Sequence, residues 1–348
     1  EIWDEDMRLM KLAHINSATV GIFSWSMLEP EEGVYRWDVI DTVAQPWIAS
    51  GKQIAFRFTC SESSYEFAVP EWLPGTGAKG RFCLMKRDPS LLGRRVWEPD
   101  WLDKTFLEKY GRFLAAAARK WDGHPSVAFV DVGSFGMWGE GHTGFTSNLS
   151  PEKTREAALV HAKLLKRHFP RTPLLISDDV AGPRNRSDDD SLMLEMRSLG
   201  VGLRDDSIMV AKRPDQWFHA EWAKKFAEAG LPVMVESRHF FPNYIPGSWY
   251  EGGLKESTEA YRASFQAIHW WPDDFLRENR KEIDEVNLRL GYRFELREVS
   301  WPGEAPRRRT VLDRIRVDER RRCALLPWRD ALLDAVGRCW HRALDERR

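Results

Sequence analysis

Glu140 lies in a turn of unusual make-up, Gly133-Ser-Phe-Gly-Met-Trp-Gly-Glu-Gly-His142, directly after the apolar run Val127–Val132. Glycines let a backbone fold tightly where a Cβ would clash, and Trp138 and His142 flank the acid. A carboxyl group presented at the carboxyl end of a strand is placed for proton transfer to a ligand. Other acids end other apolar runs. Asp178 and Asp179 follow Leu174–Ser177, Asp205 and Asp206 follow Val201–Arg204, and Glu236 follows Pro232–Val235. Several carboxylates at strand ends are equipment for general acid and base chemistry. Structural readings compete: Glu236 paired with Arg238, Asp179 and Asp206 as helix caps, and Glu140 merely solvated.

The elements that must position these acids alternate along the first 270 or so residues. The pattern predicts strands at Ala18–Ser24, Gln53–Thr59, Val127–Gly133, Leu174–Ser177, Val201–Leu203, Pro232–Val235 and Phe265–His269. Helices are predicted at Asp4–His14, Asp38–Ser50, Trp101–Trp121, Pro151–His168, Gln216–Ala229 and Ser257–Ser264, the fourth opened by a Ser150-Pro151-Glu152 cap. A Pro- and Gly-containing loop is expected over Ser61–Pro99. Such alternation means parallel strands with right-handed crossovers, hence a (β/α)8 barrel or a doubly wound open sheet. No Gly-rich phosphate loop opens a helix, which favours the barrel.

Side-chain parity adds detail. Ile54, Phe56 and Phe58 share one face of their strand, and Ala55, Arg57 and Thr59 the other. Asp131 lies opposite Val130 and Val132, and a buried charge needs a partner. Arg57 and Asp131, on consecutive strands of the barrel reading, are expected to pair inside it.

The chain has 348 residues and a formal net charge of −1. That length suits a barrel of about 250 residues with an appendage. The charge balance points away from nucleic acid, and no apolar run approaches a membrane span. Four cysteines (Cys60, Cys83, Cys323, Cys339) have no C-x-x-C spacing; a Cys60–Cys83 bridge or free thiols are the readings, with free thiols the default. Beyond Pro272 the pattern changes. A charged helix is expected over Asp274–Leu290 and a strand over Tyr292–Val299. From Pro306 onward there are 13 arginines and no lysine, and either an amphipathic helix around Ala331, Leu332, Ala335, Val336 and Cys339 or little order is expected. The barrel is assigned to residues 1–275 and a partly ordered appendage, expected to be the remnant of a β-sandwich, to 276–348.

Three stretches carry a family resemblance: Trp3-Asp-Glu-Asp-Met-Arg-Leu-Met-Lys11, Phe23-Ser-Trp-Ser-Met-Leu-Glu-Pro-Glu-Glu-Gly-Val-Tyr35 and Trp37-Asp-Val-Ile-Asp41. They resemble the entry to (β/α)8 glycoside hydrolases of the family 42 β-galactosidase type. Residues 1–300 also resemble a glycosidase-like group in which a barrel precedes a small β-sandwich and a G-x-W-G-E-x-H turn follows the fourth strand. The Gly133–Glu140 turn is similar to that of β-amylases as well, and Gly139 stands where β-galactosidases usually have Asn.

The resemblance implies that the first barrel strand precedes Glu1. It implies glycoside hydrolysis without a cofactor, on a carbohydrate substrate. Such hydrolysis needs one carboxyl to protonate the leaving oxygen and one to act as nucleophile or base. Glu140 is then the general acid, its pKa raised by a Trp138 wall, and Glu236 the nucleophile or base. Asp178, Asp179, Asp205 and Asp206 are candidates to bind hydroxyls or to replace Glu236. Arg57, His142 and His239 are further polar candidates. Trp25, Trp138 and Trp270 are expected to stack on sugar faces or to pack in the core. A His142/Asp178/His239 metal set has no recognised ligand spacing, so no metal is assigned. Ser-His-Asp catalysis lacks a G-x-S-x-G turn. A non-catalytic sugar-binding barrel is the alternative function, and a metal-dependent hydrolase the third.

Overall fold

The computed structural model describes residues 2–86, 89–181, 191–210, 219–238, 249–267, 272–290, 294–300 and 314–319. Seven parallel strands form one sheet in the order β1 (Ser17–Ser24), β2 (Gln53–Thr59), β5 (Val127–Asp131), β6 (Leu174–Ser177), β7 (Gly202–Ile208), β8 (Val233–Ser237) and β9 (Phe265–Ala267). The helices are α1 (Ile2–Leu12), the single turn α2 (Trp25–Leu28), α3 (Asp38–Ala49), α4 (Lys104–Trp121), α5 (Pro151–His168), α6 (Ser191–Ser198), α7 (Ala220–Glu228), α8 (Gly253–Tyr261) and α9 (Pro272–Asn287). The Ser150 cap acts as read, accepting from Lys153 N at 3.4 Å, and Asp103 caps α4 by accepting from Phe106 N at 2.9 Å.

The sheet curls. Phe129 on β5 and Phe265 on β9 are four strands apart, about 19 Å if the sheet were flat, yet their ring centroids are 5.1 Å apart. They close on the inner face with Ala55, Ala128, Leu175, Met234 and Ala267. Ile54, Phe56 and Phe58 point the other way, into the core beneath the helices. The parity expected for β2 is therefore the observed one. This is a (β/α)8-type barrel wall in which, among the described residues, β1 and β9 are the sheet edges.

Three expectations change. The Ser61–Pro99 loop holds an antiparallel hairpin, β3 (Gly80–Leu84) with β4 (Arg95–Pro99). Helix α9 spans the expected 275/276 boundary and buries Phe275, Leu276, Ile283 and Val286 in the barrel's core, with Asn287 Nδ2 bonded to Ala13 O at 2.6 Å. In the tail, β11 (Arg314–Glu319) pairs antiparallel with β10 (Phe294–Ser300), a piece of sheet such as a β-sandwich remnant would keep and not a tail that is helical or without order throughout. Its alternation of Ile315 and Val317 with charges is the signal for that strand. The Ala331–Cys339 segment lies outside the described residues. Cys60 and Cys83 are free, buried thiols, as in the default reading.

Candidate active site

The turn after β5 is shaped by close backbone contact. Gly139 has φ +74°, and a Cβ there would collide with the Gly133 carbonyl. A Cβ on Gly133 would strike the Arg57 side chain, which crosses at that point. Met137 bridges to His142, and Trp138 N donates to Ser61 O at 2.9 Å. The turn thus closes on itself and holds Glu140 over the barrel mouth.

Two buried guanidinium groups organise the carboxylates. Arg57 donates to Asp131 Oδ2 from Nε (3.1 Å) and Nη2 (3.0 Å), and from Nη1 to Glu140 Oε1 (2.9 Å) and Trp138 O (2.6 Å). The Arg57–Asp131 pair is the one expected from strand parity. Arg204, 2% exposed, reaches Asp131 (3.1 Å), Asp206 (2.8 Å), Glu140 (3.4 Å) and Glu236 (3.4 Å). Glu140 and Glu236 contact two nitrogens of one guanidinium, which lie about 2.3 Å apart in its planar fork. Their contacting oxygens are therefore no more than about 9 Å apart, which admits both spacings known for paired glycosidase carboxyls. One partner of Glu236 is thus Arg204 on the neighbouring strand β7.

The electrostatics bear on the protonation expected of Glu140. Burial pushes the Glu140 carboxyl up, but Arg57 and Arg204 outweigh it and hold the group below its usual range. Glu140 is ionised in this site, not kept protonated by Trp138. Burial pushes Glu62, just past β2, up to about 7, and Asp206 is also raised by burial in spite of Arg204. Burial works against charge on His142, but Asp179 at 3.0 Å and Glu140 at 3.7 Å raise its pKa.

Strand parity sorts the remaining residues. Arg204 is in register with Met234, and Glu236 with Ala267, both inner-face residues. Asp205 is in register with Val235, which packs under the helices. Asp205 is fully buried on that helix side and accepts from the Tyr261 hydroxyl of α8. Its side chain thus faces Tyr261 on the helix side and not the barrel interior, where the hydroxyl-binding role was expected. Asp178 is 2% exposed beside it; burial, then Asp205, push its carboxyl up to about 7. Trp25 is also corrected: it is buried against Trp72, Phe106, Tyr110 and Phe113, with Nε1 donating to Glu29 at 2.7 Å, and offers no face to a sugar. Trp138 is half-buried, edge-on to His142 and Phe145. His239 and Trp270 lie outside the described residues.

Three site residues had not been singled out. Arg204 was legible by the parity argument that found Arg57. Glu62 obeys the strand-end rule. His219, ahead of α7, places Nδ1 2.9 Å from Asp178 and 3.3 Å from Asp205, contacts across long stretches of sequence with no local signal. A buried Ser134–His161 pair (2.8 Å) is structural: His161 Nε2 faces Trp101 O at 2.9 Å, and burial drops its pKa to about 4.

Residues 1–133 match the β-galactosidase family, glycoside hydrolase family 42. Within that region lie the three entry stretches. Similar curated relatives include β-galactosidase GanA of Bacillus subtilis, 31% identical over 127 residues, and β-galactosidase GalA of Bacillus licheniformis, 50% identical over 73 residues. Those stretches are 36% and 21% of this chain but 18% and 10% of the relatives' lengths. Among solved structures, the cold-adapted β-galactosidase of Rahnella sp. R3 superposes with a TM-score of 0.51 at 15% identity, over 83% of this chain and 54% of that one. That likeness concerns the fold, a glycosidase-type (β/α)8 barrel. No described helix is long and apolar enough to cross a membrane.

Proposed function

We propose that this chain is a β-galactosidase-like glycoside hydrolase that cleaves O-glycosidic bonds with the carboxylates Glu140 and Glu236. The observation that carries the reading is their meeting on Arg204 at the carboxyl ends of β5 and β8. The similar relatives are β-galactosidases, and β-galactosides are the substrate class inferred from them.

The ionised state of Glu140 exchanges the roles implied by the resemblance. A carboxylate held by two guanidinium groups serves as nucleophile or base, which leaves proton donation to the leaving oxygen to Glu236, whose contact with Arg204 is longer, at 3.4 Å, than the 2.9 Å contact of Glu140 with Arg57. Trp138 and His142, beside the turn, are the groups available to a sugar ring and its hydroxyls. Glu236→Gln is expected to slow substrates with poor leaving groups far more than activated aryl β-galactosides. Glu140→Gln is expected to slow both alike. The opposite pattern restores Glu140 as acid.

One observation favours a second reading, a carbohydrate-binding barrel without turnover. The knot of Arg57, Arg204 and Asp131 ties both carboxylates down as a structural plug would. Sugar binding with no hydrolysis of any aryl glycoside would establish it.

A further inference from the structure

We propose that Asp178, Asp205 and His219 form a binding site for a divalent transition-metal cation, Zn²⁺ or Mn²⁺, on the helix side of the β6 and β7 strand ends. One atom from each residue lies within 4.8 Å of the others, so one ion can be reached by all three. The site is separate from the Glu140–Glu236 pair. Arg204 and Asp206 point into the barrel, whereas Asp205 points the other way, toward Tyr261.

The donors stand as ligands stand. His219 Nδ1 is 2.9 Å from Asp178 Oδ2 and 3.3 Å from Asp205 Oδ2. Atoms bound at about 2.1 Å to one ion, at octahedral or tetrahedral angles, lie about 3.0–3.4 Å apart. The Asp178 side chain is 1% exposed, and its Oδ2 faces His219 Nδ1 at 2.9 Å as an ion pair, in a geometry short of a well-aligned hydrogen bond. These two buried polar atoms face each other without the alignment of an N–H···O bond. Two carboxylates gathered on one buried point call for a cation there, either the proton on His219 Nδ1 or a metal ion that replaces it and binds all three donors.

The surroundings hold the donors in place, as outer partners do in metal sites. Asp178 Oδ1 accepts from Asp206 N at 3.3 Å, which turns Oδ2 toward the site. The Tyr261 hydroxyl donates to Asp205 and accepts from His219 N, so it fixes two of the three donors. The His219 ring stacks on Trp222 at 4.4 Å and 9°. His219 is 21% exposed, which leaves one side open for entry and for a further ligand. Two carboxylates and an imidazole suit Zn²⁺ or Mn²⁺; Ca²⁺ takes six to eight oxygens.

The inference is independent of hydrolysis, because its test needs no substrate. The full chain, stripped with a chelator and then dialysed, is titrated calorimetrically with ZnCl2, MnCl2 and CaCl2. One equivalent of Zn²⁺ or Mn²⁺ is expected to bind in preference to Ca²⁺ and to raise the melting temperature. His219→Gln is expected to abolish binding, Tyr261→Phe to weaken it about 10–100-fold, and Asp206→Asn to leave it unchanged. Pulsed electron paramagnetic resonance of the Mn²⁺-loaded parent protein, which depends on no variant folding, is expected to show coupling to one imidazole nitrogen. Absence of binding, absence of that coupling, or binding that survives His219→Gln but not Asp206→Asn would overturn the site.

Discussion

Asp131 neutralises two guanidinium groups at once, Arg57 at 3.0 Å and Arg204 at 3.1 Å, and all three side chains are almost wholly buried. Asp131→Ala would leave both cations without their shared anion, so a loss of about 3–5 kcal/mol in urea unfolding is expected. A loss below about 1 kcal/mol would mean that Glu140 and Asp206 suffice to hold the two arginines. Glu62 gives a pH test at the same scale. Burial raises its carboxyl to about 7. A group whose folded pKa is raised contributes its full stability below its unfolded pKa, and loses it as pH rises through the folded value. Glu62→Gln keeps the neutral shape and removes the titration. Variant and parent are expected to unfold alike at pH 5, with the variant the more stable at pH 8. A stability difference that does not vary with pH would place the Glu62 carboxyl in solvent.

At the level of the element, the β5 turn is decided by backbone contact, not by side-chain preference. Gly139 combines φ +74° with a neighbouring carbonyl where its Cβ would stand, whereas Gly77 has φ +85° with open space around it. Gly77→Ala should cost only the left-handed backbone penalty, about 1–2 kcal/mol. Gly139→Ala should cost more than that and displace Glu140, so that glycosidase turnover falls while helix content by circular dichroism is retained. Equal costs for the two substitutions would show that the turn relaxes freely. The sequence marked this turn by its glycines, but not the reason for each of them, since the collision at Gly139 is with Gly133, six residues away.

Across the whole molecule, the helical layer and the inner sheet face share one framework, and α9 is part of it through Phe275, Ile283 and Val286. The β10–β11 pair forms a sheet of its own among the described strands. Deleting residues 307–348 removes β11 but none of the described barrel strands, and the melting temperature is expected to move by less than about 3 °C, the equivalent of about 1 kcal/mol at this size. A larger fall would show that the tail packs on the barrel. What the sequence determined by itself follows local periodicity: seven alternating strands, their inward and outward faces, the Arg57–Asp131 pair, and Glu140 and Glu236 at strand ends. These depend on spacings of two and 3.6 residues, which any chain displays before it folds. Only the tertiary structure decided what depends on distance through space. The curl brought Arg204 between Glu140 and Glu236, and with Arg57 it holds the Glu140 carboxyl below its usual range. Helix packing buried Trp25 and turned Asp205 toward Tyr261. Long-range approach placed His219 beside Asp178. Protonation and coordination respond to charges a few ångströms away, and those neighbours come from strands and helices that the sequence keeps far apart.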